Sequence, residues 1–132
     1  MSLKFKILLP FIFIVPMLQC GDSFDEKYDK AVLSAMTEDI TALIGQPQCG
    51  GDNDCRYIAF GAKPCGGPWE YLIYSISVTD SAELAEKVDF YNGYEDMMNH
   101  KYGYVSDCSV PDPPELGCVD GVCVDISAHL DQ

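Results

Sequence analysis

The sequence predicts an α+β fold in which two helices pack on one face of a small antiparallel sheet, within a single disulfide-stabilised domain. Three observations support this fold class. Two segments carry apolar residues at steps of three and four, short β-branched runs lie between and after them, and six cysteines follow the first segment. A chain of 132 residues has room for one domain and little more.

The first helix is predicted over residues 24–44. Its apolar residues share one helical face, and they are Phe24, Tyr28, Val32, Ala35, Met36, Ile40, Leu43 and Ile44. Gly45 suits the left-handed position that ends a helix, and Pro47 prevents continuation.

Two strands are predicted next, over residues 56–60 and 70–78, because both segments are rich in aromatic and branched side chains. In the second strand four apolar residues share one face, namely Leu72, Tyr74, Ile76 and Val78. The intervening segment 63–68 holds two prolines, two glycines and one cysteine, which predicts an irregular loop.

A second helix is predicted over residues 81–100. Asp80 and Glu83 have the spacing of a capping box at its start. We expect Asn92-Gly93 to kink or interrupt this helix, since a glycine in a helix interior costs about 1 kcal/mol relative to alanine. His100 at its end suits the helix dipole, so a surface role is expected for this histidine.

The last part of the chain predicts a short strand at 104–109 and a hairpin over 117–126. Asp120-Gly121 is typical of a two-residue hairpin turn, which places Cys118 opposite Cys123. The two side chains of such a non-hydrogen-bonded pair lie close together. Either a direct bridge forms between them, or each pairs with another cysteine.

The first twenty residues predict export. Two lysines without an acid, an apolar run over 7–18 and then Cys20-Gly21 follow the order of a secretory signal. The apolar run of about a dozen residues is shorter than the roughly 20 needed to span a bilayer. The predicted organisation is a signal peptide at 1–19, a tether at 20–24 and the domain at 25–132.

The segment Met17-Leu18-Gln19-Cys20 resembles the lipobox of bacterial lipoproteins, although Met17 and Gln19 replace the commonest residues at their positions. This resemblance implies lipidation of Cys20, palmitate included, and a membrane-anchored protein of the cell envelope, periplasmic or on the cell surface. An ordinary cleaved signal and secretion form the alternative. The rest of the chain resembles no family of known activity.

The number of cysteines is compatible with a lipid on Cys20. Six of the seven then remain for three disulfides in an oxidising compartment, and they are Cys49, Cys55, Cys65, Cys108, Cys118 and Cys123. Their number alone leaves 15 connectivities open. No metal site is expected, because Cys118 and Cys123 lack metal-binding spacing and both histidines lie far from the cysteines.

The charge is strongly acidic after the signal. All 21 acidic residues but only six of the eight basic residues follow Cys20, which gives this part a formal charge of −15. Binding of nucleic acid or of anionic lipid is disfavoured, because both require a basic patch. Carboxylates in the turns, such as Asp52 and Asp54, are expected to cap the backbone of their own turns rather than to bind calcium.

No catalytic or phosphate-binding motif is present, so no enzyme and no cofactor are expected. The candidate binding element is the cysteine-anchored loop around Lys63, Pro64, Gly66, Gly67, Pro68 and Trp69. Stiff loops lose little entropy on binding, and Trp is enriched at binding hot spots. Alternatively, Trp69 belongs to the core and the glycines only make a turn.

The predicted function is therefore a non-catalytic envelope lipoprotein whose domain binds an unknown protein partner. The alternative is an inhibitor of a protease or another enzyme that uses the loop from Lys63 to Trp69.

Overall fold

Two helices and four strands form the part of the chain that the computed structural model describes, residues 26–127. In chain order these elements are α1 (Glu26–Ile44), β1 (Cys55–Phe60), β2 (Glu70–Ser75), α2 (Ser81–Tyr102), β3 (Leu116–Val119) and β4 (Val122–Asp125). A one-turn 3₁₀ helix at Asp52–Asp54 precedes β1. The predictions for the signal peptide, for Cys20 and for the tether lie outside the described residues.

The end of α1 and the beginning of α2 lie where the sequence predicts capping residues. Gly45 is left-handed with a φ of 56° directly after α1, and its N–H donates to Thr41 O at 3.0 Å. The Asp80 carboxylate accepts hydrogen bonds from the backbone N–H groups of Ala82 and Glu83, which begins α2. The expected interruption at Asn92-Gly93 is wrong, because α2 is one continuous helix from Ser81 to Tyr102.

The α+β class with antiparallel strands is confirmed, and the strands divide into two sheets of two strands each. Strands β1 and β2 pair from Cys55 opposite Ser75 to Phe60 opposite Glu70. Strands β3 and β4 form the predicted hairpin around the Asp120-Gly121 turn. A bridge between Gln48 and Val122 joins this hairpin to the segment after α1.

The predicted strand at 104–109 and the last part of the predicted strand at 70–78 do not form strands. The segment 104–109 forms no ladder, and Cys108 adopts a left-handed φ of 58° that is incompatible with an extended strand. Strand β2 stops at Ser75 because the chain turns there, with Thr79 N donating to Ser75 O at 2.9 Å. Ile76 and Val78 consequently lie at the surface instead of on the inner face.

Apolar side chains from both helices and from β1 and β2 form the core. Phe60 stacks on Tyr91 with ring centres 4.3 Å apart, which joins β1 to α2. The other buried members of the core are Ile40, Leu84 and Val88.

Three disulfides connect elements that are distant in sequence: Cys49–Cys118, Cys55–Cys123 and Cys65–Cys108. Cys118 lies opposite Cys123 in the hairpin, as the turn predicts. Of the two alternatives for this pair, the second holds, because Cys118 bonds Cys49 and Cys123 bonds Cys55. Cys55–Cys123 therefore attaches β4 to β1, and Cys49–Cys118 attaches β3 to the segment between α1 and β1.

Candidate functional site

The loop 62–69 is a closed turn with its own hydrogen bonds. Lys63 N donates to Gly67 O at 2.9 Å, and Gly66 N donates to Lys63 O at 2.7 Å. Gly66 and Gly67 have φ values of 93° and 84°, a region in which residues with a side chain are strained. The Cys65–Cys108 disulfide ties the turn to the segment that follows α2.

Lys63 points into the protein, and its side chain is only 6% exposed. Its Nζ atom donates to Asp107 Oδ1 at 2.8 Å, to Ser109 O at 2.6 Å and to Ser109 Oγ at 3.1 Å. Hydrogen bonds from Lys63, and then from Ser109, lower the pKa of the Asp107 carboxyl to about 2. A lysine held in this way is unsuited to enter the specificity pocket of a protease.

Trp69 is the last residue of the loop and is 46% exposed, so the alternative that it belongs to the core does not hold. Its backbone N–H donates to Phe60 O at 2.9 Å. Its ring lies against Gly61, where a Cβ atom would come within 2.5 Å of Trp69 Cδ1. The Lys63 ammonium lies 4.9 Å from the centre of the ring. These contacts fix the ring in place while leaving much of it open.

A groove of about 480 Å³ opens beside the Trp69 ring. It lies between α1, the loop, the second half of α2 and the residues just after α2, and its walls are mainly apolar. We call it the Trp69 groove, and the residues that define it are Leu33, Pro64, Trp69, Glu95, Asn99 and Tyr104.

Polar side chains of α2 hold the backbone between β1 and the loop. Asn92 Oδ1 accepts from Gly61 N at 2.7 Å, and Glu95 Oε2 accepts from Ala62 N at 2.6 Å. Asn99 Nδ2 donates to Ala62 O at 2.7 Å. Since residues at steps of three and four share one helical face, these three side chains form one stripe along α2.

Glu95 and Asn99 are therefore both structural residues and residues of the groove wall. Burial raises the pKa of the Glu95 carboxyl, and hydrogen bonds from Ala62 and Trp69 partly oppose this effect. Neither residue stands out in the sequence, where the one available signal is their position among the apolar residues of the inner face of α2.

The rim of the groove joins the start of α1 to the end of α2. Glu26 Oε1 lies 2.6 Å from Lys30 Nζ and accepts a hydrogen bond from Tyr104 OH at 2.6 Å. One turn further, buried Asp29 accepts from Tyr94, Lys101 and Tyr102. The hydrogen bond from Lys101, followed by those from the two tyrosines, lowers the pKa of the Asp29 carboxyl to about 2.

The other residues of the predicted loop lie away from this groove. Gly66, Gly67 and Pro68 line a separate depression of about 360 Å³. The structure thus brings Pro64 and Trp69 together at the Trp69 groove, whereas Lys63 supports the loop from inside.

Of the two carboxylates in the turn before β1, Asp54 caps its own turn, as the sequence predicts: its Oδ2 atom accepts from Gly50 N at 2.7 Å. Asp52 differs from the prediction, because its Oδ1 atom accepts from Cys118 N on β3 at 2.7 Å, 66 positions away. The sulfur atoms of Cys49, Cys55 and Cys123 lie within 4.8 Å of one another, and all three belong to disulfides.

No protein-family model matches the chain, and neither a curated protein nor a solved structure shows significant similarity to it. Within residues 26–127, neither helix combines the length and the apolar character that crossing a membrane requires.

Proposed function

We propose that this chain is an exported, non-catalytic binding module, anchored by a lipid on Cys20, and that the Trp69 groove engages a protein partner. One observation carries this proposal: a half-exposed Trp borders an apolar groove whose walls are held by a disulfide and by hydrogen bonds.

The groove has the physical properties of a preformed binding site. The Cys65–Cys108 bridge, the Lys63 ion pair and the bonds to Ala62 order the loop before any partner arrives. An ordered loop loses less conformational entropy on binding, and a Trp supplies a large contact area at low entropic cost.

The anchor would place this groove close to the membrane. Glu26 on the groove rim is six residues after Cys20, and six extended residues reach about 20 Å at most. A lipid on Cys20 would therefore present the groove to proteins at the membrane surface.

Intact mass of the protein from its native host tests the anchor. We expect the mass of residues 20–132 plus a diacylglyceryl or triacylglyceryl group. Six cysteines should become alkylated only after reduction. A mass without lipid, or a protein lacking Cys20, would contradict the anchor.

Site-specific photo-crosslinking in intact cells tests the partner. A photoreactive residue at Val105, which lines the groove and is 90% exposed, should give a discrete adduct with one protein. The matched control is Val119, an exposed valine of the β3–β4 hairpin outside the groove. Absence of an adduct at Val105, or the same adducts at both positions, would refute the groove as the binding surface.

A further inference from the structure

We infer that the Trp69 groove binds the side chain of a lysine within a basic segment of its partner. This inference rests on the proposed function and adds the chemistry that the groove recognises. Four features of the groove support it.

The first feature is the carboxylate of Glu95. It is partly buried in the groove wall, and no Lys, Arg or His side chain of residues 26–127 lies within 4.0 Å of it. A carboxylate removed from water without a cation is unfavourable, and burial raises its pKa accordingly. A cation supplied by a ligand would compensate this charge.

The second feature is the carboxamide of Asn99, which is only 7% exposed. Its Nδ2 atom is used by Ala62 O, whereas no donor of the described residues bonds its Oδ1 atom. Glu95 and Asn99 lie one helical turn apart on the same face of α2. An ammonium group has three donors and accordingly suits two neighbouring acceptors of this kind.

The third feature is the apolar part of the groove wall, which lines the same groove as these acceptors. Leu33, Met98 and Trp69 line the groove, and a lysine side chain carries four methylene groups that such a wall can cover. Lys30 also lines the groove, and its charge is balanced by Glu26 at 2.6 Å. The groove thus combines apolar walls with the Glu95 carboxylate.

The fourth feature distinguishes lysine from arginine. Glu95 already accepts hydrogen bonds from Ala62 N, at 2.6 Å from Oε2, and from the Trp69 ring N–H, so fewer acceptor positions remain for the two parallel bonds of a guanidinium group. A compact ammonium group needs only one free acceptor position. The formal charge of −15 after the signal segment attracts a basic protein segment over longer distances.

Fluorescence of Trp69 reports occupancy directly, because it is the only Trp of the chain. The mature lipidated protein in detergent is titrated with a blocked pentapeptide, Ala-Ala-Lys-Ala-Ala, and with the same peptide carrying an acetylated lysine. We expect a saturable change in Trp69 fluorescence with the lysine peptide and at least a tenfold weaker affinity for the acetyl-lysine peptide. Equal affinities, or no saturable change, would overturn the inference without the use of any variant.

Two variants with the same charge change locate the site. Glu95→Gln removes the groove carboxylate, whereas Asp96→Asn removes the exposed carboxylate of the next residue. We expect at least tenfold weaker peptide binding for Glu95→Gln and less than a twofold change for Asp96→Asn. Equal losses in both variants would show that only the overall charge attracts the peptide, which would refute recognition in the groove.

Two further comparisons separate the possible failures. Butylammonium binding as tightly as the peptide would assign the groove to free amines and would overturn the protein-lysine assignment. An adduct at Val105 together with no peptide binding would refute lysine recognition and leave the binding module in place. Absence of both would refute both proposals.

Discussion

The Lys63 ammonium group lies 4.9 Å from the centre of the Trp69 ring and 2.8 Å from Asp107 Oδ1. One buried cation thereby connects the exposed aromatic ring to the segment that follows α2. The Cys65–Cys108 disulfide makes a second connection between the same two segments. The Lys63 ion pair and the Cys65–Cys108 disulfide consequently hold the loop that carries Trp69 in place.

Replacing Lys63 tests the support from the charge. Lys63→Met should lower the free energy of unfolding by about 1–3 kcal/mol, since the three hydrogen bonds that the buried ammonium group donates are lost. Lys30→Met is the control, because it removes an exposed ion pair of the surface type and should have a much smaller effect. Urea unfolding measures both, and equal losses would contradict a structural role for Lys63.

Replacing Gly61 tests its close contact with Trp69, and replacing Gly93 provides the control. Gly61 has a φ of 84° and no space for a Cβ atom, so Gly61→Ala should destabilise the protein by about 1–2 kcal/mol from backbone strain alone. It should also shift the Trp69 emission, because the ring must move. Gly93→Ala in α2 meets no neighbour within 4 Å and should stabilise by about 1 kcal/mol. Thermal unfolding gives the sign of each change, and a harmless Gly61→Ala would contradict the close contact.

Removing the Cys65–Cys108 bridge should loosen the loop selectively. The double variant Cys65→Ala/Cys108→Ala should lose about 2–4 kcal/mol of stability and exchange its amide hydrogens faster over residues 62–69. The matched control is Cys49→Ala/Cys118→Ala, which removes a bridge at the β3–β4 hairpin. Hydrogen exchange by mass spectrometry separates them, and faster loop exchange in both variants would argue against a local effect.

Acid should destabilise the protein between about pH 4 and pH 2. The folded-state pKa values of Asp29 and Asp107 are about 2, below the ordinary value of 3.8. The unfolded chain therefore binds more protons in this window, and the free energy of unfolding falls as the pH decreases. Asp29→Asn should flatten this part of the curve, because the carboxylate that Lys101 and two tyrosines stabilise is gone.

Unfolding in urea at several pH values from 2 to 5 measures this slope. Asp39→Asn provides the control, since it removes the same charge from an exposed position on α1. An unchanged slope in Asp29→Asn would show that other groups govern acid unfolding.

Features that depend on neighbouring residues were predicted correctly. The extent of α1 up to Ile44, the Asp80 cap and the Asp120-Gly121 hairpin all follow from patterns a few residues long. Predictions failed where distant contacts compete with local preference. Glycine at position 93 predicted an interruption, yet the adjacent Asn92 anchors α2 to Gly61 through a hydrogen bond between residues 31 positions apart.

The sequence by itself determined the α+β class, the presence of three disulfides and the irregular loop over residues 63–68. Only the tertiary structure decided which cysteines pair, that Lys63 points inward, and that Glu95 and Asn99 share the groove with Trp69. The physical reason is the range of the interactions. Helix caps and turns involve adjacent residues, whereas the bonds that build the groove join residues 33 to 46 positions apart and arise only when the chain is packed.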